Sequence, residues 1–475
     1  MWNSSTIMTW GSFLVRLSSF FLLLPLILNK FSAADIVIWY LFSSITALQC
    51  YFDMGFGSTL SRAISFSAAG AKSIRGFKDV NDDCGDGKPN WDLMGKVVSS
   101  MKKIYLVLSI FSFILIGVIG TLSLIKPISA VNQTADAWLA WMCILVMSPI
   151  SLWASIYTYY LEGTNQILLL RRLDIFFGVG GVVSSVILLF LGGGLLSLVL
   201  LAQFWVLARI LLNVKLCHKL DNDKFKCINN QPYDKAILRD LWPSTWRSGL
   251  GGLATTGFTY GSSLIVAQLG EAKDVASYLF AMRLIDAVSQ FSMAPFYSKI
   301  PLLARKRAEG NIGDLIKIAR RGMILGHWTY VFGFLFLAFF ATFFLQKIHS
   351  NTLFVEPDMW LLMGAAFFIH RYGAMHVQLY STTNHIVSHI AEIGSGIIFL
   401  IVSAVLMRYA GIYALPIGLL SGYLGFYAWY NARISYKSIN TSLIVFESYV
   451  FIPPLIVMLI YSCYVFRKWL ALFIF

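Results

Sequence analysis

Charge is what this 475-residue sequence has least of. Asp, Glu, Lys and Arg make up only 13% of it, and hydrophobic residues make up 58%. A soluble globular chain carries about 25% charged residues. The longest polar stretch is Ser67–Lys103, so no separate soluble domain is expected, and none to bind and hydrolyse ATP. No nucleophile–base constellation stands out, and no phosphate-cradling glycine loop does either. Gly192-Gly193-Gly194 reads as a tight turn between two apolar runs. The six cysteines are scattered without metal-ligand spacing, which argues against a zinc site and a disulfide framework. The loops poor in Lys and Arg are short, which argues against a membrane-embedded glycan polymerase or acyltransferase. No catalytic role is therefore expected.

Long apolar runs recur instead, for example Ile104–Ile125, Leu173–Phe190, Leu195–Val214 and Leu325–Leu345. Each is close to the ~20 residues that cross a ~30 Å hydrocarbon core. Helices are expected over 9–28, 35–58, 103–125, 137–160, 173–192, 194–214, 245–268, 275–297, 322–345, 359–381, 386–407 and 411–431, with a thirteenth near 448–466. The first is read as a spanning helix rather than a signal peptide, because Arg16 interrupts it and no basic start precedes it. If the thirteenth crosses fully, Arg467 and Lys468 emerge on the outer side.

The net charge of +14 follows topology. Loops after even-numbered helices are basic: eight Lys or Arg fall in Arg62–Lys103, seven in Lys215–Arg247 and seven in Lys299–Arg321. Odd loops hold single cations such as Lys30, Lys126 and Lys347, or none. The positive-inside rule then puts the even loops and the N-terminus in the cytoplasm. The basic balance belongs to membrane lipids and orientation, not to nucleic acid. Asp314–Arg321 is expected as a short amphipathic helix on the inner leaflet.

The chain also repeats at half-length. Thr9-Trp10-Gly11-Ser12 matches Thr245-Trp246-Arg247-Ser248, and Asp35-Ile36 with Tyr40-Leu41-Phe42 matches Asp274-Val275 with Tyr278-Leu279-Phe280. Met54-Gly55-Phe56 matches Met293-Ala294-Pro295-Phe296. Six helices per half make the repeat parallel. The expected architecture is an all-α polytopic membrane protein with two six-helix lobes around a central cavity, plus an extra C-terminal helix. Its expected divisions are residues 1–216, a linker 217–244, residues 245–432 and the hydrophobic segment 433–475.

Arginines interrupt the apolar runs. An arginine at mid-membrane costs roughly 2.5–3.5 kcal/mol on insertion scales, so several point to a hydrated cationic cavity and an anionic substrate. Arg16 shares a face with Thr9, Ser12 and Ser19, Arg283 with Asp286 and Gln290, and Arg371 with Gln378 and Thr382. Asp53 follows Thr46 and Cys50 on one face of its helix, and His370 adjoins Arg371. Other readings stand beside the cavity. Serine and threonine stripes also glue helices together, Arg16 is shallow enough to snorkel, and Asp286 lies one turn from Arg283 as a pairing partner. Arg371 lies ~18 Å from the outer end of its helix, too deep to snorkel easily. Coupling to protons or sodium would need a cavity carboxylate, for which Asp286 is best placed; no other cofactor and no metal is expected. Trp10, Trp246 and Tyr260 are candidates for stacking on sugar rings.

In Trp10–Pro25, Phe52–Gly57 through Arg62, Leu161-Glu162-Gly163 and Pro295–Arg305, and in helix order throughout, the chain resembles the polysaccharide (O-antigen-type) flippases of the multidrug/oligosaccharidyl-lipid/polysaccharide exporter (MOP) superfamily. The resemblance implies two lobes around a central cavity in the bacterial inner membrane. It implies alternating access that carries a polyprenyl-pyrophosphate-linked oligosaccharide from the inner to the outer leaflet, for surface polysaccharide synthesis. A cationic cavity is common among such proteins, and Arg16, Arg247, Arg283 and Arg371 would suit it, with Asp53, Asp286, Gln290, His370 and Gln378 as polar lining or coupling groups. A glycan polymerase is the protein partner left open. The alternative is an ion-coupled multidrug or small-solute antiporter of the same architecture, for which acidic residues rather than Arg16 would be expected in the first helix.

Overall fold

The computed structural model describes residues 22–53, 55–68, 70, 89–220, 239, 257, 260–383 and 388–474. Every regular element within them is helical. The chain forms two compact units, Met1–Leu253 and Ala254–Phe475.

In the first unit, the helix expected over 35–58 is two. α1 spans Ala33–Gln49 and continues as a 3-10 turn over Cys50–Asp53, and α2 starts again at Phe56–Ala68. The break falls at Gly55, whose φ of 73° suits a residue without a Cβ. Asp53 restarts the helix, because its Oδ2 accepts the Gly57 amide at 3.0 Å. α3 (Trp91–Ser129) starts well before the expected 103, and α4 covers Thr134–Gly163. At 1.5 Å per residue, the 39 residues of α3 make a rod of roughly 60 Å. That is about twice the hydrocarbon thickness, so part of α3 stands outside it. α5 (Ile167–Phe190) and α6 (Leu195–Leu220) complete this unit. Tryptophans set its close contacts. Trp141 is buried against Gly120, where a Cβ would sit 2.5 Å from the indole, and its Nε1 donates to Thr121 at 3.0 Å.

The second unit contains α7 (Ala272–Tyr297), α8 (Ile300–Ala308), α9 (Ile312–Lys347), α10 (Pro357–Ser381) and α11 (Ser388–Ala410). α9 corrects one expectation. Residues 314–321 are not a separate interfacial helix but the first turns of this 36-residue helix. Asn311 caps it by accepting the Asp314 amide at 3.1 Å, and the buried face runs without a break from Leu315 and Ala319 to Met323 and Gly326. The helix expected over 411–431 is likewise composite: α12 (Ala414–Gly422), one π turn at Tyr423–Tyr427, then α13 (Ala428–Ser438). A short α14 (Leu443–Glu447) precedes the final α15 (Ile452–Ile474).

Among the described residues, six helical segments are long and apolar enough to cross a membrane: α3, α4, α5, α6, α9 and the run from α11 through α13. α7 and α10 have the length, at 26 and 25 residues, but not the apolarity. They hold Arg283, Asp286, Gln290, His370, Arg371 and Gln378. Helices too polar for lipid must be shielded by protein or water, and in this unit α7 packs on α9 and α10, and α10 on α13. Aromatic stacking fixes the region. Trp360 of α10 lies parallel to Phe334 of α9 with centroids 5.3 Å apart, and its other neighbour is Phe354 at 5.0 Å.

Replacing Trp360 by Ala should empty the largest part of this stack. The expected loss is about 3–5 kcal/mol, as for other buried Trp-to-Ala changes, read as a lowered melting temperature of the detergent-purified protein.

Candidate functional site

Of the residues singled out in the sequence, Arg16 and Arg247 lie outside the described residues, as do Trp10 and Trp246. Asp53 belongs to the first unit. Its carboxylate is held by the Tyr105 hydroxyl and the Gly57 amide, so it is engaged in the α1–α2 break and the contact with α3. Arg283, Asp286, Gln290, His370, Arg371 and Gln378 lie on α7 and α10 in the second unit, and Tyr260 precedes α7.

Arg371 is 0% exposed. Its guanidinium reaches across to α7, where Nη1 donates to the Ser289 carbonyl at 3.0 Å and to the Ser292 hydroxyl, and Nη2 donates to the Ser292 carbonyl at 2.7 Å. The Tyr330 ring lies 5.9 Å from the guanidinium carbon, which adds a cation–π contact. α9 comes this close because residue 326 is glycine: a Cβ there would meet Arg371 Nη2 at 2.8 Å and the Ser292 carbonyl at 2.9 Å. Pro295 shares this end of α7. A proline withdraws one helical N–H and disturbs the carbonyl four residues before it. The arginine bonds α7 backbone in that same stretch. Its charge meets carbonyl dipoles and an aromatic face, not a carboxylate.

Arg283 differs. It is half-buried on α7, and among the described residues it makes no hydrogen bond or ion pair. Asp286, the pairing partner that its spacing suggested, instead accepts from Gln290 Nε2 at 3.1 Å. Gln290 is exposed. The polar face of α7 therefore presents a cation that its neighbouring carboxylate does not bridge. Gln378 of α10 lies near the Tyr297 hydroxyl, at the far end of α7. His370 takes another direction from its sequence neighbour Arg371. It packs between Tyr423 and Tyr427 of the π turn, at centroid distances of 4.6 and 5.0 Å.

Two polar clusters escaped the sequence reading. His376 of α10 and Glu447 of α14 are both buried, with His376 Nε2 3.1 Å from Glu447 Oε1. The Tyr436 hydroxyl donates to the same carboxylate oxygen at 2.6 Å and lies 2.7 Å from the Tyr372 hydroxyl. The other cluster centres on Arg307 of α8, which donates to Thr382 Oγ1 at 2.7 Å and to the Ser438 carbonyl at 3.1 Å, tying the ends of α10 and α13 together. Partial burial lowers the pKa of this guanidinium from its ordinary value.

No protein-family profile and no curated protein matches the sequence. Solved structures do match by fold. An inward-facing multidrug resistance MATE-family transporter of the MOP superfamily superposes with a TM-score of 0.66 at 13% identity, over 89% of this chain and 94% of its own. An outward-facing multidrug resistance MATE-family transporter gives 0.55 at 12% identity, over 91% and 93%. A MOP-superfamily transporter from Pyrococcus furiosus, described as having a binding pocket of reversed polarity that suggests a different function, gives 0.53 at 13% identity, over 92% and 95%. The chain thus has the all-helical, two-lobed fold of MOP-superfamily transporters.

Arg371 and Arg283 should respond differently to truncation. Arg371→Ala strips hydrogen bonds from three buried neutral acceptors, and about 1–3 kcal/mol is the usual cost of leaving such groups unsatisfied. Arg283→Ala should change stability by no more than about 0.5 kcal/mol. Melting temperatures of the two purified variants test this directly.

Proposed function

We propose that the protein is an alternating-access transporter that moves an anionic, lipid-linked oligosaccharide from the cytoplasmic to the outer leaflet of a bacterial inner membrane, without itself being an enzyme. The observation that carries this reading is Arg283: a cation in a helix too polar for lipid, within electrostatic reach of Asp286 but with no salt bridge to it. Keeping an unbridged guanidinium at such a place costs free energy that packing alone does not require. A pyrophosphate returns that cost through bidentate, charge-assisted hydrogen bonds, for which the planar guanidinium is shaped.

Roles divide accordingly. Arg283 meets the anion, with Gln290 and Asp286 as neutral and acidic neighbours that can bond glycan hydroxyls. Arg16 and Arg247 are proposed for the same cationic set. Arg371 is proposed to hold α7 at the height and rotation that presents Arg283, and Gln378 is proposed as a polar neighbour of Tyr297 at the far end. His370 and Asp53 are proposed as positioning groups, the first at the π turn and the second at the α1–α2 break.

Two comparisons support the transport part of the reading: the fold occurs in both inward-facing and outward-facing transporters. They also bear on the sign of the site. The neighbours include multidrug transporters, yet the Pyrococcus furiosus protein is described as having a pocket of reversed polarity on this fold. An organic cation as cargo would be repelled by Arg283, which weighs against the antiporter alternative.

Flipping of a polyprenyl-pyrophosphate oligosaccharide by protein in liposomes, followed through accessibility of the glycan to an external lectin, tests the proposal. Arg283→Ala should slow flipping by roughly tenfold to a hundredfold, the scale of one lost charge-assisted bond. Arg283→Lys should recover only part of the rate, because lysine keeps the charge without the fork. Undiminished flipping in Arg283→Ala would remove this residue from the site. Absence of flipping in the wild type, with proton-driven or sodium-driven export of a cationic dye, would establish the antiporter instead.

A further inference from the structure

The second unit holds a groove of about 940 Å³ that the transport reading does not use. It runs between the π turn and α13 on one side and α14 and the start of α15 on the other, with Tyr372 of α10 in its floor. Its size is within the roughly 300–1,000 Å³ of small-molecule sites.

The groove is graded along its length. Leu424, Ala428, Ile452 and Leu455 make its walls apolar at one end. Toward the other end Arg433 and Lys437 follow Trp429 at i+4 and i+8, one face of a helix. Arg433 and Lys437 are exposed, and neither makes an ion pair or side-chain hydrogen bond among the described residues. The acidic group beside them does not supply the missing anion, because Glu447 is 2% exposed and already bonded to His376 and Tyr436.

A second observation fixes the depth. α14 is amphipathic over a single turn: Phe446 and Glu447 are buried, while Leu443, Ile444 and Val445 are 54%, 73% and 60% exposed, and Tyr449 just beyond is 76% exposed. Apolar residues with a tyrosine at such a turn belong at the boundary of headgroups and acyl chains. The mouth of the groove therefore opens at headgroup depth, and its apolar end points into the hydrocarbon. On the charge asymmetry of the sequence, this is the cytoplasmic side.

We infer that the groove is a binding site for an anionic membrane phospholipid. The phosphate would lie between Arg433 and Lys437, and one acyl chain along Leu424, Ala428, Ile452 and Leu455. Charge complementarity selects the headgroup: two cations at the mouth, with no partner among the described residues, favour a lipid with net negative charge over a zwitterionic one. A leaflet lipid is also the partner that faces this opening at all times. The site is independent of Arg283 and of the transported substrate.

Native mass spectrometry of the delipidated protein tests the inference, with phosphatidylglycerol and phosphatidylcholine titrated separately. The wild type should bind phosphatidylglycerol more tightly than phosphatidylcholine by roughly tenfold or more, given about 1 kcal/mol per basic residue. The double variant Arg433→Gln, Lys437→Gln should lose that preference and keep the wild-type melting temperature. Ile452→Trp, which narrows the apolar end, should weaken both lipids. Arg408→Gln, at the other end of α11 and away from the groove, should change nothing. Equal binding of the two lipids, or a preference that survives the double variant, overturns the proposal. So does a dimer that phosphatidylglycerol fails to compete with, which would assign the groove to a second copy of the chain.

Discussion

The bonds from Arg371 to the carbonyls of Ser289 and Ser292 are the interaction on which the second unit turns. A buried guanidinium without a carboxylate is stable only if enough dipoles face it. Two helices besides α10 are committed to this. α7 contributes two carbonyls and a hydroxyl, α9 contributes the Tyr330 ring, and Gly326 removes the side chain that would otherwise keep α9 away. The result fixes the rotation of α7 about its own axis. With Ser289 and Ser292 turned toward α10, the residues on another face of the helix, Arg283 and Gln290, are left outside the clamp. The structural cation and the available cation are thus consequences of one arrangement.

Helix class, the approximate places of the spans and the unusual polarity of α7 and α10 were legible from the sequence, because hydropathy and period report directly on what a helix can touch. The place of Arg371 well inside its helix was legible too, since twelve residues separate it from the start of the predicted helix. What the sequence could not supply was the partner. Arg371 finds its acceptors 79 to 82 positions away, and two of the three are backbone carbonyls, which carry no residue-type signal. The pair Arg283 and Asp286 shows the converse. Spacing alone made them neighbours, but Gln290 is one turn from the same carboxylate and takes the hydrogen bond.

Glu447 was hidden for a different reason. It ends the apolar run Leu443–Phe446, and its bonds go to His376, 71 positions earlier, and to Tyr436 across a short turn. No periodicity links these residues, because they come from three different helices. The helix breaks were legible only in part. Gly55 and Asp53 together mark a stop and a restart in retrospect, whereas the π turn at Tyr423–Tyr427 leaves no compositional mark in a stretch rich in aromatic residues.

That π turn has a consequence for the shape of the whole segment. One wide turn carries an extra residue relative to an α-helix, so everything after it is rotated by about 100° against everything before it. Tyr423 and Tyr427 grip His370, and the following turns carry Trp429, Arg433 and Lys437 round to the groove. Without the extra residue, the same side chains would point elsewhere on the helix surface. A single inserted position thus acts as a phase shifter: it lets one continuous helix serve an aromatic interior along its first half and a charged edge along its second.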